Sequence, residues 1–237
     1  MMTIKEMTPI LLLLGACAVL IGGLAYWLGN GGMSAPAEVN LTEDAAIDTP
    51  LEAKQLDTYN ATMSNDNNPV AVLETNYGTI EIELFDDTMP ITAGNFEKLV
   101  KEGYYDGIKF HRVIDGFMIQ GGDPNTKTDN VLSYGQGGPG YTIPDEFKEG
   151  KLLTNKRGTI AMANSGPESG GSQFFINLVD NTNLDFDKQP LTSKHPVFGQ
   201  VIAGMDVVDA IGQVAVNPGN NLPLENVVIE KATIRQN

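Results

Sequence analysis

The chain has 237 residues, 41% of them hydrophobic, and carries 30 Asp/Glu against 15 Lys/Arg for a formal charge of −15. That length accommodates one sizeable domain with appendages, and the charge argues against nucleic-acid binding by phosphate neutralisation and against electrostatic attachment to anionic lipid. A single cysteine, Cys17, excludes an intrachain disulfide and any cysteine-based metal site.

In chain order, the first element is the uncharged apolar run Ile10–Leu28. A spanning helix needs roughly 20 apolar residues, so this run just reaches across a bilayer. Tyr26 and Trp27 close it, where amphipathic rings favour the interface. Lys5 precedes it and the next basic residue is Lys54, which orients the N-terminus inward and the acidic remainder outside the cytoplasm. Residues 1–29 are therefore expected to form a transmembrane anchor. Two alternatives stay open. Leu14-Gly-Ala-Cys17 looks like a lipobox that would lipidate Cys17, and a cleaved signal peptide would give a secreted domain. Residues 30–69, rich in Asn, Asp, Ala, Thr and Gly, read as a flexible linker. It contains two glycosylation sequons, at Asn40 and Asn60.

From Val70 the pattern changes to that of a folded domain, 70–237. Val70–Thr75 and Thr79–Phe85 read as strands joined at Asn76-Tyr-Gly78. In the second, Ile80, Ile82 and Leu84 alternate with Glu81 and Glu83, predicting one buried and one wet face. Pro90 opens a helix whose Phe96, Leu99 and Val100 share a face, and Gly103 closes it. Further strands are expected at Ile108–Val113, Phe117–Gln120, Thr159–Ala163, Gln173–Leu178, Val197–Val201 and Val227–Ile234, with a second helix at Met205–Ile211. Many short strands, two helices and no βαβ alternation argue for a mainly β, antiparallel barrel.

Two stretches carry chemistry. Residues 110–123 read Phe-His-Arg-Val-Ile-Asp-Gly-Phe-Met-Ile-Gln-Gly-Gly-Asp, and residues 161–176 read Ala-Met-Ala-Asn-Ser-Gly-Pro-Glu-Ser-Gly-Gly-Ser-Gln-Phe-Phe-Ile. They offer an arginine, amides and large apolar groups but no nucleophile–base pair and no metal-ligand cluster, an inventory suited to a reaction that breaks no covalent bond. Both closely resemble the active-site halves of the cyclophilins, peptidyl-prolyl cis/trans isomerases, and the resemblance extends over Val70–Arg235. It implies a closed eight-stranded antiparallel β-barrel capped by two helices. It also implies isomerase activity on Xaa-Pro bonds without cofactor or metal, and proline-containing peptides and unfolded proteins as partners. With the N-terminal segment, the expectation is a membrane-tethered, extracytoplasmic folding catalyst with a monomeric catalytic domain and exported or membrane clients.

Rotation about Xaa-Pro is slow, roughly tens to hundreds of seconds, because resonance gives the amide C–N bond double-bond character. A guanidinium donating to the prolyl nitrogen as it pyramidalises binds the twisted state better than either planar one. Arg112 matches the family's catalytic arginine. By motif position, Phe117, Met118 and Phe175 floor the proline pocket, with Leu184 and His195 at its edge. Gln120 and Gln173 bond the substrate backbone or orient Arg112, and Ala163 and Asn164 meet the residue before proline. Taken singly, Phe117, Met118 and Phe175 would read as core residues. His111 is expected to be a structural neighbour of Arg112.

Gly135-Gln-Gly-Gly-Pro-Gly140 fits G-x-G-x-x-G, but Pro139 and Pro144 forbid the required helix, so it reads as an irregular loop beside the groove. Ser165, Ser169 and Ser172 lie outside any G-x-S-x-G arrangement. Three positions depart from the family. Asn183 replaces a common tryptophan, Asp115 replaces a common proline, and Asn125–Tyr134 is longer than the loop of compact members. A competing function is a module or holdase that binds proline-containing segments with incidental turnover, and a third is a structural envelope protein without affinity for them.

Overall fold

The computed structural model describes residues 67–151, 153–189 and 194–236. The expected anchor 1–29, the linker up to residue 66, Cys17 and both sequons lie outside them. Among the described residues no helix is long and apolar enough to cross a membrane.

Strands β1 (Val70–Thr75) and β2 (Gly78–Leu84) form the expected hairpin, with Thr75 opposite Gly78 across the turn residues Asn76 and Tyr77. Helix α1 (Pro90–Lys101) follows, with Pro90 in its first turn, where the missing N–H costs nothing. Its N-terminus lacks a local side-chain cap. The buried Glu146 fills that role from a distant loop, accepting the Thr92 N–H at 2.8 Å. At the other end Gly103, at φ +68°, lets its own N–H reach Val100 O while Tyr104 N–H reaches Leu99 O, the paired bonds that stop a helix.

Next come β3 (Arg112–Ile114), β4 (Met118–Gly121), β5 (Thr159–Met162), β6 (Phe174–Asn177), β7 (Val197–Ala203), helix α2 (Met205–Gly212) and β8 (Ile229–Arg235). Short 3-10 turns lie at Pro124–Lys127, Val131–Ser133 and Thr182–Leu184. The eight strands pair antiparallel in the order β3-β4-β6-β5-β7-β2-β1-β8.

This corrects the expected closed barrel. The sheet is an open half-barrel whose edge strands β3 and β8 share no ladder. The chain turns at Gly107 (φ +80°), and of the strand expected at Ile108–Val113 only Arg112 and Val113 fall in β3, with Ile108–His111 outside any strand. That stretch makes separate bonds across the gap, Phe110 N to Val227 O at 2.9 Å and Ile229 N to Ile108 O at 2.8 Å. These bonds make one isolated antiparallel bridge, Lys109 opposite Val228, and Lys109 N, on the side facing away from it, donates to the Thr126 hydroxyl at 2.9 Å.

The core lies between the sheet's concave face and α1. Phe96 of α1 packs on Tyr105, Phe174 and Phe198 at ring separations of 4.9, 5.4 and 5.3 Å, and Phe110 meets Phe174 edge-on at 6.0 Å. A second correction concerns β2. Glu83, expected on the wet face, is completely buried. It accepts bonds from Asn68 Nδ2 at 3.0 Å and Gln200 Nε2 at 2.9 Å, because β7 and the chain entering the domain cover that face.

Removing the ring at the centre of the aromatic cluster leaves a cavity that rigid strands cannot refill. Phe174→Ala is expected to cost about 3–5 kcal/mol. Urea unfolding of the variant beside the parent protein measures it, and a loss under about 1 kcal/mol contradicts this account of the core.

Candidate active site

Strand periodicity sorts the motif residues onto two faces. Val113, Ile119, Phe174 and Ile176 are buried in the core cluster. Arg112 pairs with Gln120, and Gln120 with Phe175, across β3, β4 and β6, so these three project together from the opposite face. Phe175 in turn pairs with Ala161 of β5.

On that face the polar groups form one directional chain. An Arg112 terminal nitrogen donates to Gln120 Oε1 at 3.3 Å, Gln120 Nε2 donates to Gln173 Oε1 at 3.1 Å, and Gln173 Nε2 donates to Gly137 O at 2.8 Å. Arg112 forms no ion pair with a described carboxylate. Partial burial lowers its pKa from the ordinary guanidinium value, yet arginine stays charged. The result is a half-buried cation oriented by a neutral amide, with its charge uncompensated.

The apolar part adjoins it. The Phe175 ring stands edge-on to His195, centroids 5.3 Å apart at 82°. His195 Nδ1 lies 3.0 Å from Met162 O, a contact that only a protonated Nδ1 can use as donor. His195 N–H donates to Leu184 O at 3.1 Å, which brings Leu184 to the same edge. Phe117 is half-buried, whereas Met118 and Phe175 are 1% and 4% exposed. Ala163 N–H donates to Gln173 O at 3.0 Å, and Asn164 Nδ2 donates to Lys194 O at 2.7 Å, tying the two loops that flank the groove. The structure thus links Arg112, Gln120, Gln173 and Ala163, and Phe175, His195 and Leu184, around one sheet face, whereas Met118 is packed in the core cluster and Phe117 against it. Asn183 is exposed beside Leu184.

A cleft of about 460 Å³ extends from this surface, lined by Gln120, Gln173, Ala163 and Asn164 on one side and by residues 135–139 on the other. The glycine-rich loop therefore borders the groove, and what holds it escaped the sequence analysis. Asp123 is fully buried and accepts from Asn125 N at 2.8 Å, from Gly135 N, and from Gly137 N at 3.2 Å. A β-carbon at Gly137 would sit 2.1 Å from Asp123 Oδ1, so only glycine allows this approach. The available signal was Asp123 itself, an acid closing an apolar strand after two glycines. Ser172 is also structural, with its hydroxyl donating to Gly122 O at 2.7 Å.

Residues 70–234 match the family described as cyclophilin type peptidyl-prolyl cis-trans isomerase/CLD. The chain belongs to that family. It is 42% identical over 181 residues to peptidyl-prolyl cis-trans isomerase B of Streptomyces anulatus, covering 69% of this chain and 95% of the relative. It is 40% identical over 170 residues to peptidyl-prolyl cis-trans isomerase-like 2 of Cryptococcus neoformans, covering 70% of this chain but only 27% of that longer relative. A crystal structure of a Cryptosporidium parvum cyclophilin type isomerase, obtained in the presence of the dipeptide Ala-Pro, superposes with a TM-score of 0.60 at 30% identity. It covers 71% of this chain and 99% of that one.

His111 is buried and His195 half-buried, and burial lowers their pKa values from the ordinary 6.5; the neighbouring Asp123 opposes this at His111 and the Met162 carbonyl opposes it at His195. The folded protein therefore holds them neutral while the unfolded chain takes up protons near 6.5. Their contribution to stability is complete above that value and declines as pH falls below it. The urea midpoint is expected to drop between about pH 6.5 and 5, and His111→Gln to flatten part of the slope. A parent midpoint that holds level across that window would show the burial effect to be absent.

Proposed function

We propose that residues 70–237 catalyse cis/trans isomerisation of Xaa-Pro bonds, with Arg112 as the catalytic residue. The observation that carries this reading is the half-buried Arg112 guanidinium, bonded to the neutral Gln120 amide and sharing a sheet face with Phe175. A carboxylate partner would neutralise the cation. An amide orients it and leaves donors for an incoming imide nitrogen.

Phe117, Met118, Phe175, Leu184 and His195 receive the proline ring, and Gln120 and Gln173 fix the guanidinium and meet the peptide backbone. Ala163 and Asn164 meet the residue before proline. As the amide twists, its nitrogen gains a lone pair that the planar forms lack, and donation from Arg112 strengthens only then. No proton changes hands and no cofactor enters. The catalytic domain is proposed to act as a monomer.

Arg112→Ala is expected to lower kcat/KM on a short Xaa-Pro peptide about 100-fold, with unfolding behaviour preserved; Arg112→Lys should fall between, keeping charge but losing the planar fork. NMR exchange spectroscopy on the peptide gives the rate. Activity within about twofold of the parent in Arg112→Ala would remove the arginine from the mechanism and favour the binding-module reading.

The proposed setting rests on the sequence outside the described residues. Ile10–Leu28 anchors the chain, and the domain acts outside the cytoplasm on exported or membrane clients, with lipidation at Cys17 or cleavage and secretion as the alternatives. Mass spectrometry of the mature protein is expected to find an intact, unlipidated N-terminus. A mature chain beginning at Cys17 with a lipid adduct, or beginning beyond Leu28, would replace the anchor by one of the other two.

A further inference from the structure

The loop Asn125–Tyr134 carries the most exposed apolar pair near the groove. Val131 and Leu132, in a single 3-10 turn, are 49% and 84% exposed. Scattered single surface leucines are ordinary, whereas these two apolar residues are adjacent on one turn. Here the backbone is fixed from several directions. Asn125 Nδ2 donates to Ser133 O at 2.9 Å, the Ser133 hydroxyl to Asn130 O at 2.7 Å, and the Tyr134 hydroxyl to Thr128 O at 2.6 Å. Gln136 Nε2 donates to Leu132 O at 2.9 Å. The loop's root is the buried Asp123 carboxylate.

Two of these contacts make the tip continuous with the groove. Gln136, which bonds the Leu132 carbonyl, lines the cleft together with Gly135. The same cleft is lined by Ala163, Asn164, Gln120 and Gln173. Gln136 thus connects the cleft to the Val131–Leu132 turn, and a polypeptide extending past the cleft on the Gln136 side would meet that turn.

We infer that Val131 and Leu132 form an accessory subsite that grips a large apolar side chain of the client, several residues before its proline. The inference rests on the isomerase reading in the direction of the bound peptide. It names the substrate class as extended, unfolded segments in which a Leu, Ile or Phe precedes the proline at a distance beyond the cleft. The chemistry fits an extended chain, whose side chains alternate and whose apolar groups are exposed only before folding. A rigid apolar tip loses little entropy on meeting one.

The test uses the full-length protein and its Val131→Ser/Leu132→Ser double variant. The probes are a short Xaa-Pro peptide and a set of long peptides in which one leucine is walked through the positions ahead of the proline in a serine-rich background. For the parent, one leucine position should improve affinity roughly fivefold to tenfold over the all-serine peptide, by isothermal titration and as a lower KM. The double variant should lose that gain while keeping kcat, and should handle the short peptide as the parent does. Equal affinity of the parent for every leucine position overturns the inference. So does an unchanged gain in the double variant. A variant that instead loses self-association in ultracentrifugation, or loses partition onto phosphatidylcholine vesicles, with peptide affinity intact, also overturns it. Titration reads binding without turnover, so a parent that fails to isomerise the short peptide defeats the isomerase reading separately.

Discussion

The pairing of Arg112 with Gln120, and of Gln120 with Phe175, is the constraint on which the site depends. Strand side chains alternate, so a slip of one residue between β3 and β4 would turn the guanidinium away from Phe175 and push Val113 and Ile119 out of the core. The aromatic cluster around Phe174 opposes such a slip, because the residue next to Phe175 is locked among Phe96, Tyr105 and Phe110. Core packing and site geometry are thus one arrangement seen from two sides of the same strands. The outer face positions a cation and the inner face supplies the reason it cannot move.

Buried carboxylates do the corresponding work for the loops. Asp123 holds the backbone of Gly135 and Gly137, and Glu146 caps α1. Asp185 accepts from Asn155 N at 2.7 Å and Asn155 Nδ2 at 2.9 Å, and the same Asn155 amide reaches His195 O at 3.1 Å. Charge-assisted bonds to backbone N–H groups are among the stronger ones available, and an acid without them would be costly to bury. Each ties a segment far away in sequence to the groove or to the helix behind it. The acidic composition, read from sequence only as a surface property, therefore has an interior role as well.

Much of this was legible in the chain. Local signals with a local cause held, including the Asn76-Tyr77-Gly78 hairpin and Pro90 and Gly103 at the ends of α1. The misreadings share a different cause. Glu83 sits in an alternating pattern that ordinarily marks a wet face, and only the arrival of Gln200 and Asn68 makes its burial tolerable. Ile108 to Phe110 has strand composition, but it makes only a single isolated bridge, Lys109 opposite Val228, before the chain enters β3. Asp123 was read as the end of a motif, whereas its partners lie up to fourteen residues away.

By itself the sequence determined the alternation of the strands, the bounds of the helix and the family, because each follows from neighbours within a few residues or from a motif read as a unit. Only the tertiary structure decided that the sheet stays open, that Glu83 and Asp123 are buried, and that Leu132 is held out beside the cleft. Those outcomes depend on which distant donor reaches a given acceptor first, and no local pattern records that competition.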